Sequence, residues 1–561
     1  MNRRIRYDRI AIAVVLLAII VLALIFSIKT TTRIITKRGQ EGFISGTTSE
    51  ITLYDIKYKE VSTIFRGQKV KLKGKMTNPD NKQKYYRIKY DGKEYFVKED
   101  NISDSDNNII QEKTMYVRTP VTVYKNLESS EILGYLKKGS EVEILGYDKY
   151  DEKGMVHKYK IKYNSQDGYV YAKYLLPNKE DSLVYYYADK HENIGNNLGG
   201  GTAVELDYFP VLKPNFEDNK MPDEVRALYL NVSAIRNVDK YIDFALDNNI
   251  NAFVVDIKDN TSPGYESKVF EKYSKTNYEN AASTFDEYKG FIKKLKDNGF
   301  YLIGRITVFK DSFFVKDHPE VAIIDTRDSS PFNHNGSYWP SGFQRLVWEF
   351  NVELAKEAVK EMGFNEIQFD YVRFPDRTIG LESQGIMNMN NTYDESKAEA
   401  IQAFLMYATD ELHELGAYVS ADVFGECAHN YVTNYGQYWP AISNIVDVIS
   451  AMPYPDHFSA HEYDIPEVVW TVPYKVLSKW SEYASSKQET IPTPAKARTW
   501  IQSYNTVKTP YVTYDANKIS EQIEAIYANG LTDGWMTWNA GSSISKYEEI
   551  KESFKKEYKH E

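Results

Sequence analysis

The sequence predicts an α/β chain built as a (β/α)8 TIM barrel, preceded by two small all-β barrels and one N-terminal transmembrane helix. Three observations carry this. Residues 10–28 hold no charge, residues 50–177 show short alternating strands broken by turn signals, and from residue 225 eight strand patterns alternate with amphipathic helical ones.

The apolar segment "IAIAVVLLAIIVLALIFSI", Ile10 to Ile28, is nineteen residues long, enough to cross the hydrocarbon layer as a helix. Arg3, Arg4, Arg6 and Arg9 precede it, and Lys29, Arg33, Lys37 and Arg38 follow it. It lacks a small-residue cleavage site, so an uncleaved signal anchor is expected. Residues 1–9 are then cytoplasmic, and the chain is a single-pass cell-membrane protein whose C-terminal domains are extracellular.

Residues 29–49 are polar with Gly, Thr and Ser, and read as a stalk. Residues 50–106 contain "GQKVKLKG" and "YYRIKYDGKEYFVKEDNI"; residues 113–177 contain "VTVYKN", "ILGYLKKGSEVEIL" and "YKIKYNSQDGYVYAKYL". Turn signals at Lys138-Gly139 and Asp167-Gly168 separate alternating strands, which makes the second stretch a small barrel and the first a divergent copy of it. Residues 178–222, with "NNLGGG" and several prolines, read as a linker.

The barrel is expected over 223–555. Its strands are "VRALYLNVS" (225–233), "NAFVVDIKD" (251–259), "FYLIGRITVF" (300–309), "EIQFDYVRF" (366–374), "AYVSADVFG" (417–425), "VDVISAMPY" (446–454), "ARTWIQSY" (497–504) and "GWMTWN" (534–539). Helical stretches such as "STFDEYKGFIKKLKDNG" and "ESKAEAIQAFLMYATDELHELG" lie between them. Eight βα repeats fit a closed barrel better than an open doubly wound sheet, and no Gly-rich phosphate fingerprint follows the first strand.

Composition narrows the function. A formal charge of -10 weighs against a nucleic-acid surface, although Lys and Arg crowd the first 175 residues. One cysteine, Cys427, excludes an internal disulfide framework and a multi-cysteine metal site. Zinc-hydrolase spacings such as HExxH and the Gly-x-Ser-x-Gly elbow are missing, so no metal or organic cofactor is expected. The 46 Tyr, 25 Phe and 8 Trp suit sugar rings and ordinary cores alike.

Barrel chemistry sits at the C-terminal ends of the strands. There the sequence places Asp256, Lys258 and Asp259 after strand two, Arg305 and Thr307 in strand three, Asp370 and Arg373 in strand four, and Asp422 and Glu426 after strand five. Tyr454 closes strand six, Gln502 and Tyr504 strand seven, and Trp538 and Asn539 strand eight. In strand four Ile367 and Phe369 share the helix-facing side, which turns Gln368 and Asp370 to the barrel axis; in strand five the same parity turns Ser420 and Asp422 inward. Asp256 and Lys258 fall on one side together. Adjacent strands lie about 4.8 Å apart, so the carboxylates of Asp370 and Asp422 come within range of the roughly 5–5.5 Å used by a retaining glycosidase. Asp256 with Lys258, or Asp370 with Arg373, also fit structural ion pairs at a barrel rim. Tyr338, Trp339, Trp439 and Tyr454 fit either sugar stacking or packing, and Cys427 lacks an identifiable His partner for nucleophilic work.

The N-terminal blocks resemble bacterial SH3-like domains, which implies binding of a cell-wall peptide or polymer; a spacer role fits equally. The blocks "NAFVVDIKD", "GRITVFKD", "YWPSGFQRLVWEFNVELAKEAVKEMG", "GFNEIQFDYVRFPD", "SADVFGE" and "ISAMPYPDHF" resemble the putative glycosyl hydrolase domain family of bacterial barrels, distantly related to α-amylase-like and α-galactosidase-like enzymes. The resemblance implies cleavage of a glycosidic bond in a polysaccharide. It makes Asp370, which closes strand four, the nucleophile, and leaves the acid among Asp422, Glu426 and Asp456. Asp256, Lys258, Arg305, Tyr338, Trp339, Arg373, Tyr454, Asp456 and Trp538 are the expected substrate contacts, with Arg373 paired to Asp370. Two other functions stay open: a noncatalytic polysaccharide-binding scaffold at the cell wall, and a wall peptidase or amidase.

Overall fold

The computed structural model describes residues 40–191 and 199–558, together with Val21. The expected transmembrane segment 10–28 lies outside them, apart from Val21; among the described residues no helix is long and apolar enough to cross a membrane. The chain divides into two compact units, an N-terminal one whose last residue is Leu183 and a second made of Val184 onward together with Pro120–Thr122 and Glu128–Tyr135.

The N-terminal unit is all-β. Its two seven-stranded sheets have the same topology: counting strands along the chain, both run 3-2-6-5-4-1-7. Alternation explains the strands. In Lys69–Thr77, buried Val70 and Leu72 alternate with exposed Lys69 and Lys71, and in Glu141–Tyr147 Val142 and Ile144 are buried between exposed Glu141, Glu143 and Leu145. The first strand is Glu41–Ile44, so the end of the stretch expected to be a stalk is part of the sheet. Its Phe43 and Ile44 pair with Ser103 and Ile102. Ile44 joins an apolar core that reaches as far along the chain as Val97 and Ile102, which local composition does not reveal. A buried ion pair links Arg66 to Glu112 at 2.5 Å, and Glu112 also accepts from the Tyr159 hydroxyl at 3.0 Å.

The second unit contains eight parallel strands in a nearly closed barrel. They are β1 Val225–Leu230, β2 Ala252–Asp259, β3 Tyr301–Thr307, β4 Glu366–Asp370, β5 Tyr418–Phe424, β6 Val448–Met452, β7 in two pieces, Lys496–Ala497 and Thr499–Gln502, and β8 Gly534–Trp538. The first piece of β7 pairs with β6 and the second with β8, so the ring is completed across Arg498. The helices that follow the strands are α1 Val238–Asp247, α2 Phe285–Asp297, α3 Arg345–Glu357, α4 Lys397–His413, α5 Trp439–Ser443, α6 Pro473–Gln488, α7 Ala516–Tyr527 and α8 Ile544–Lys555. Capping boxes start α2 (Thr284 with Glu287) and α4 (Ser396 with Glu399), each satisfying backbone N–H groups the first turn leaves unpaired.

Inward and outward faces follow strand parity. Phe369 packs on Phe404 of α4 with ring centroids 5.3 Å apart, while Gln368 donates to Ser450 Oγ of β6 at 3.2 Å across the interior. Deeper in the barrel, Glu366 is fully buried against Arg498 at 2.8 Å and accepts from the Tyr301 hydroxyl at 3.0 Å. The region expected to be a linker up to 222 is not free. Ala203, Leu206 and Tyr208 are buried with Ala398, Val432, Tyr438 and Ala441. Lys213 donates to the carbonyls of Ser443, Asn444 and Val446, and burial pulls its ammonium down to about 8. Irregular backbone hides such apolar spacing from periodicity, which is why the sequence reads as a linker there.

Candidate active site

Pairing between neighbouring strands places the site. Asp256 lies opposite Arg305, Thr307 opposite Asp370, Phe369 opposite Ala421 and Asp422 opposite Ser450. Asp256, Arg305, Asp370 and Asp422 therefore stand at successive strand ends, from β2 to β5, at the mouth of the barrel. All four are buried.

Arg305 ties two of the carboxylates together. Its Nη1 donates to Asp256 Oδ1 at 2.7 Å, and Nη2 and Nε donate to Asp370 Oδ2 at 2.5 and 3.1 Å. Asp259 stands 3.9 Å from the same guanidinium. A planar fork suits this bridging, which an ammonium could not match. Asp256 Oδ2 accepts from the Tyr229 hydroxyl at 2.5 Å. Burial nevertheless raises the Asp256 carboxyl to about 6, since one cation opposes complete desolvation, whereas several carboxylates hold the Arg305 guanidinium well above its ordinary value.

Asp370 has its other oxygen fixed as well. Oδ1 accepts from the backbone N–H of Tyr371 at 2.6 Å. Tyr371 has φ +49°, a left-handed conformation that a residue with a large side chain seldom adopts. That turn ends the strand and aims the Asp370 carboxylate at the mouth.

Asp422 differs from both. Trp500 Nε1 donates to Oδ1 at 2.8 Å, and Oδ2 is buried with no hydrogen-bond partner. Burial, then the neighbouring Asp370 charge, raises its carboxyl well above the carboxylate range; the Trp500 N–H and Arg305 oppose this only in part. Two neighbouring strand ends thus carry carboxyls in unlike surroundings, one saturated by donors and one holding an unmatched oxygen. The buried Tyr454 hydroxyl, also unpartnered, is close enough to feel both charges.

Several expected residues occupy other places. Lys258 points to the outside of the barrel, 2.7 Å from Asp311 and 5.1 Å from the Phe350 ring of α3. A register irregularity between Asp256 and Lys258 breaks the alternation, so the two do not share a side as strand parity predicts. Arg373 does not pair with Asp370; it donates to the Phe374 carbonyl at 3.0 Å and Asp376 at 3.4 Å and lies over Phe424 at 4.5 Å. Arg305 takes the role the sequence suggested for Arg373.

Glu426 lies on the short helix Gly425–Ala428 and lines a cleft of about 740 Å³ together with Phe424, Met452, Asp376, Asp456 and Lys508. Both its oxygens accept from tyrosines, Tyr431 at 3.0 Å and Tyr435 at 2.8 Å. Asp456 is fully buried and accepts from the Tyr504 hydroxyl at 2.8 Å and the Val507 N–H at 3.3 Å. Trp538 lies 5.4 Å from the Arg305 guanidinium and Trp339 5.2 Å from that of Arg373. Tyr338 is exposed on a hairpin of Asn333–His334 with Ser337–Tyr338.

Tyr229 and Trp500 were not singled out by the sequence. Trp500 shares the inward parity of Gln502, two positions on, and Tyr229 sits near the end of β1; those positions are the signal that could have found them. Among the described residues no three His, Cys, Asp or Glu side chains are grouped to hold a metal ion.

Residues 227–544 match the model of a family described as "Putative glycosyl hydrolase domain". No curated protein matches the chain. Solved structures with similarity include a hypothetical protein from Ruminiclostridium thermocellum ATCC 27405, 33% identical, covering 35% of this chain and 97% of that one at a TM-score of 0.30. The PgaB (BpsB) glycoside hydrolase domain from Bordetella bronchiseptica is 11% identical over 59% of this chain and 99% of that one, with a TM-score of 0.43. A class V chitinase from Pseudomonas fluorescens Pf-5 is 14% identical over 59% of this chain and 100% of that one, with a TM-score of 0.38.

Proposed function

The chain belongs to the putative glycosyl hydrolase domain family, and from that premise we propose that its barrel hydrolyses an O-glycosidic bond of a cell-wall or extracellular polysaccharide by double displacement. The observation that supports this reading is the contrast between two neighbouring carboxyls: Asp370 ion-paired with Arg305 and held by a backbone N–H, and Asp422 with one buried oxygen unmatched.

In this reading Asp370 attacks the anomeric carbon as the glycosidic C–O bond breaks. Asp422, protonated because of its burial, gives its proton to the departing oxygen. The sugar is then an ester of Asp370. Asp422, now a carboxylate, takes a proton from water as the water oxygen attacks the anomeric carbon, which restores both side chains. Arg305 orients Asp370 and stabilises its carboxylate as leaving group in the second step. Tyr454 and Trp538 provide a hydroxyl and an aromatic edge toward the sugar. The segment 10–28 anchors the chain in the cell membrane with the domains that follow it outside, and the two all-β sheets of the N-terminal unit engage wall peptide or polymer.

The test is incubation of the protein with purified wall polysaccharides and exopolysaccharides, with products identified by mass spectrometry. Hydrolysis that vanishes in Asp370→Asn while the polysaccharide still binds supports the enzyme. Binding without product in the unaltered protein gives the scaffold reading instead.

A further inference from the structure

Beyond the cleft at the barrel mouth lies a second hollow of about 530 Å³, lined by Tyr463, Tyr483, His461 and Asp464. The two hollows share His429, Tyr431, Ser459 and Glu462 as a common wall, so they form one continuous surface. That surface starts at Phe424, two residues past Asp422 at the end of β5. Nothing in the proposed chemistry uses its far end.

The far end is built in an uncommon way. Tyr463 and Asp464 are consecutive non-glycine residues with left-handed backbone, at φ +57° and +56°. Such conformations persist where the surroundings impose them, and they concentrate at ligand clamps. Here they hold the Tyr463 ring against Tyr483, with centroids 5.5 Å apart and planes 24° from parallel. The Tyr463 hydroxyl meets His429 Nε2 at 2.9 Å, and His429 meets the Tyr483 ring edge-on at 5.5 Å. Tyr483 is 40% exposed, so this aromatic wall opens to solvent. Burial holds His429 below its ordinary range, which leaves a neutral imidazole there at neutral pH.

We propose that this hollow is an outlying subsite for a pyranose unit of a long glycan chain, so that the barrel acts on a polymer and not on a free disaccharide. A pyranose offers an apolar C–H face to an aromatic wall and hydroxyls at its rim, where Tyr431, Ser459 and Glu462 supply donors and acceptors. A glycan chain passing from the cleft across the shared wall meets both kinds of surface in turn. The inference rests on the reading of the barrel mouth as a glycan-cleaving site.

The experiment compares the full chain with its Tyr483→Ala and Tyr483→Phe variants on peptidoglycan glycan strands, both long strands and the disaccharide, following product release and strand binding. Tyr483→Ala is expected to raise KM for long strands about three- to tenfold with kcat unchanged, to leave the disaccharide unaffected, and to be rescued by Tyr483→Phe. Equal effects on long and short substrates, or none on long strands, overturn the subsite. If the unaltered protein turns over no glycan, the hydrolase reading fails separately. Binding of long strands then decides the subsite: loss in Tyr483→Ala supports it, and no binding or Tyr483-independent binding overturns it.

Discussion

The Arg305 guanidinium grips Asp370 through two of its nitrogens, Nη2 at 2.5 Å and Nε at 3.1 Å, while its third nitrogen holds Asp256. This one side chain organises the barrel mouth, and its removal should show first in stability. Arg305→Ala leaves two buried carboxylates without their cation and is expected to cost about 3–5 kcal/mol. Arg305→Lys recovers only part of this, since an ammonium does not span both partners. Urea denaturation of the two variants measures the difference.

Asp370→Asn should reduce turnover by on the order of 10³-fold or more, because a neutral amide cannot form the glycosyl ester. Polysaccharide binding should persist, and the loss of stability should be smaller than in Arg305→Ala, because Arg305 still pairs with Asp256. Retention of full activity would remove Asp370 from the nucleophile role.

The acid is tested by comparing Asp422→Asn with Glu426→Gln. Loss of a proton donor lowers the rate by about 10²–10⁴-fold; with leaving groups that need no protonation the first step is spared, and the second, in which the same group activates water, stays slow. That pattern is expected for Asp422→Asn. Glu426→Gln, which breaks the contacts from Tyr431 and Tyr435, should mainly affect KM through the cleft wall.

The basic limb of the pH–rate profile should belong to Asp422. The rate falls as pH rises through its elevated value, since the acid must be protonated in the first step. The Trp500 N–H favours the charged form of Asp422, so Trp500→Phe should move that limb to higher pH. A limb that stays in place in Trp500→Phe argues against Asp422 as the acid.

Stability should also depend on pH through Asp256. Its carboxyl is raised from 3.8 to about 6 on folding, so the folded state binds the proton more tightly than the unfolded chain. The group's contribution is fully present below pH 3.8 and is lost as pH rises to about 6. Denaturation midpoints across that window should decline in the unaltered protein, with a smaller decline in Asp256→Asn. Asp422 acts in the same direction at higher pH.

Local pattern determined much of this protein. The eight strands, their order, and the inward aim of Gln368, Asp370 and Asp422 follow from alternation in β4 and β5, because successive side chains of a strand must point to opposite faces. The repeated all-β pattern before residue 178 follows from the same rule, and two sheets with one shared strand order are found there. What tertiary structure decided was partnership. Parity placed Asp370 at the mouth but could not tell whether Arg305 or Arg373 would reach it; inter-strand register and the left-handed turn at Tyr371 settled that. One irregularity between Asp256 and Lys258 reversed the direction of Lys258, and Trp500 met Asp422 from a strand 78 residues away. Periodicity fixes which way a side chain faces, whereas its neighbour across the barrel is set by pairing between distant strands, which no local stretch of sequence contains.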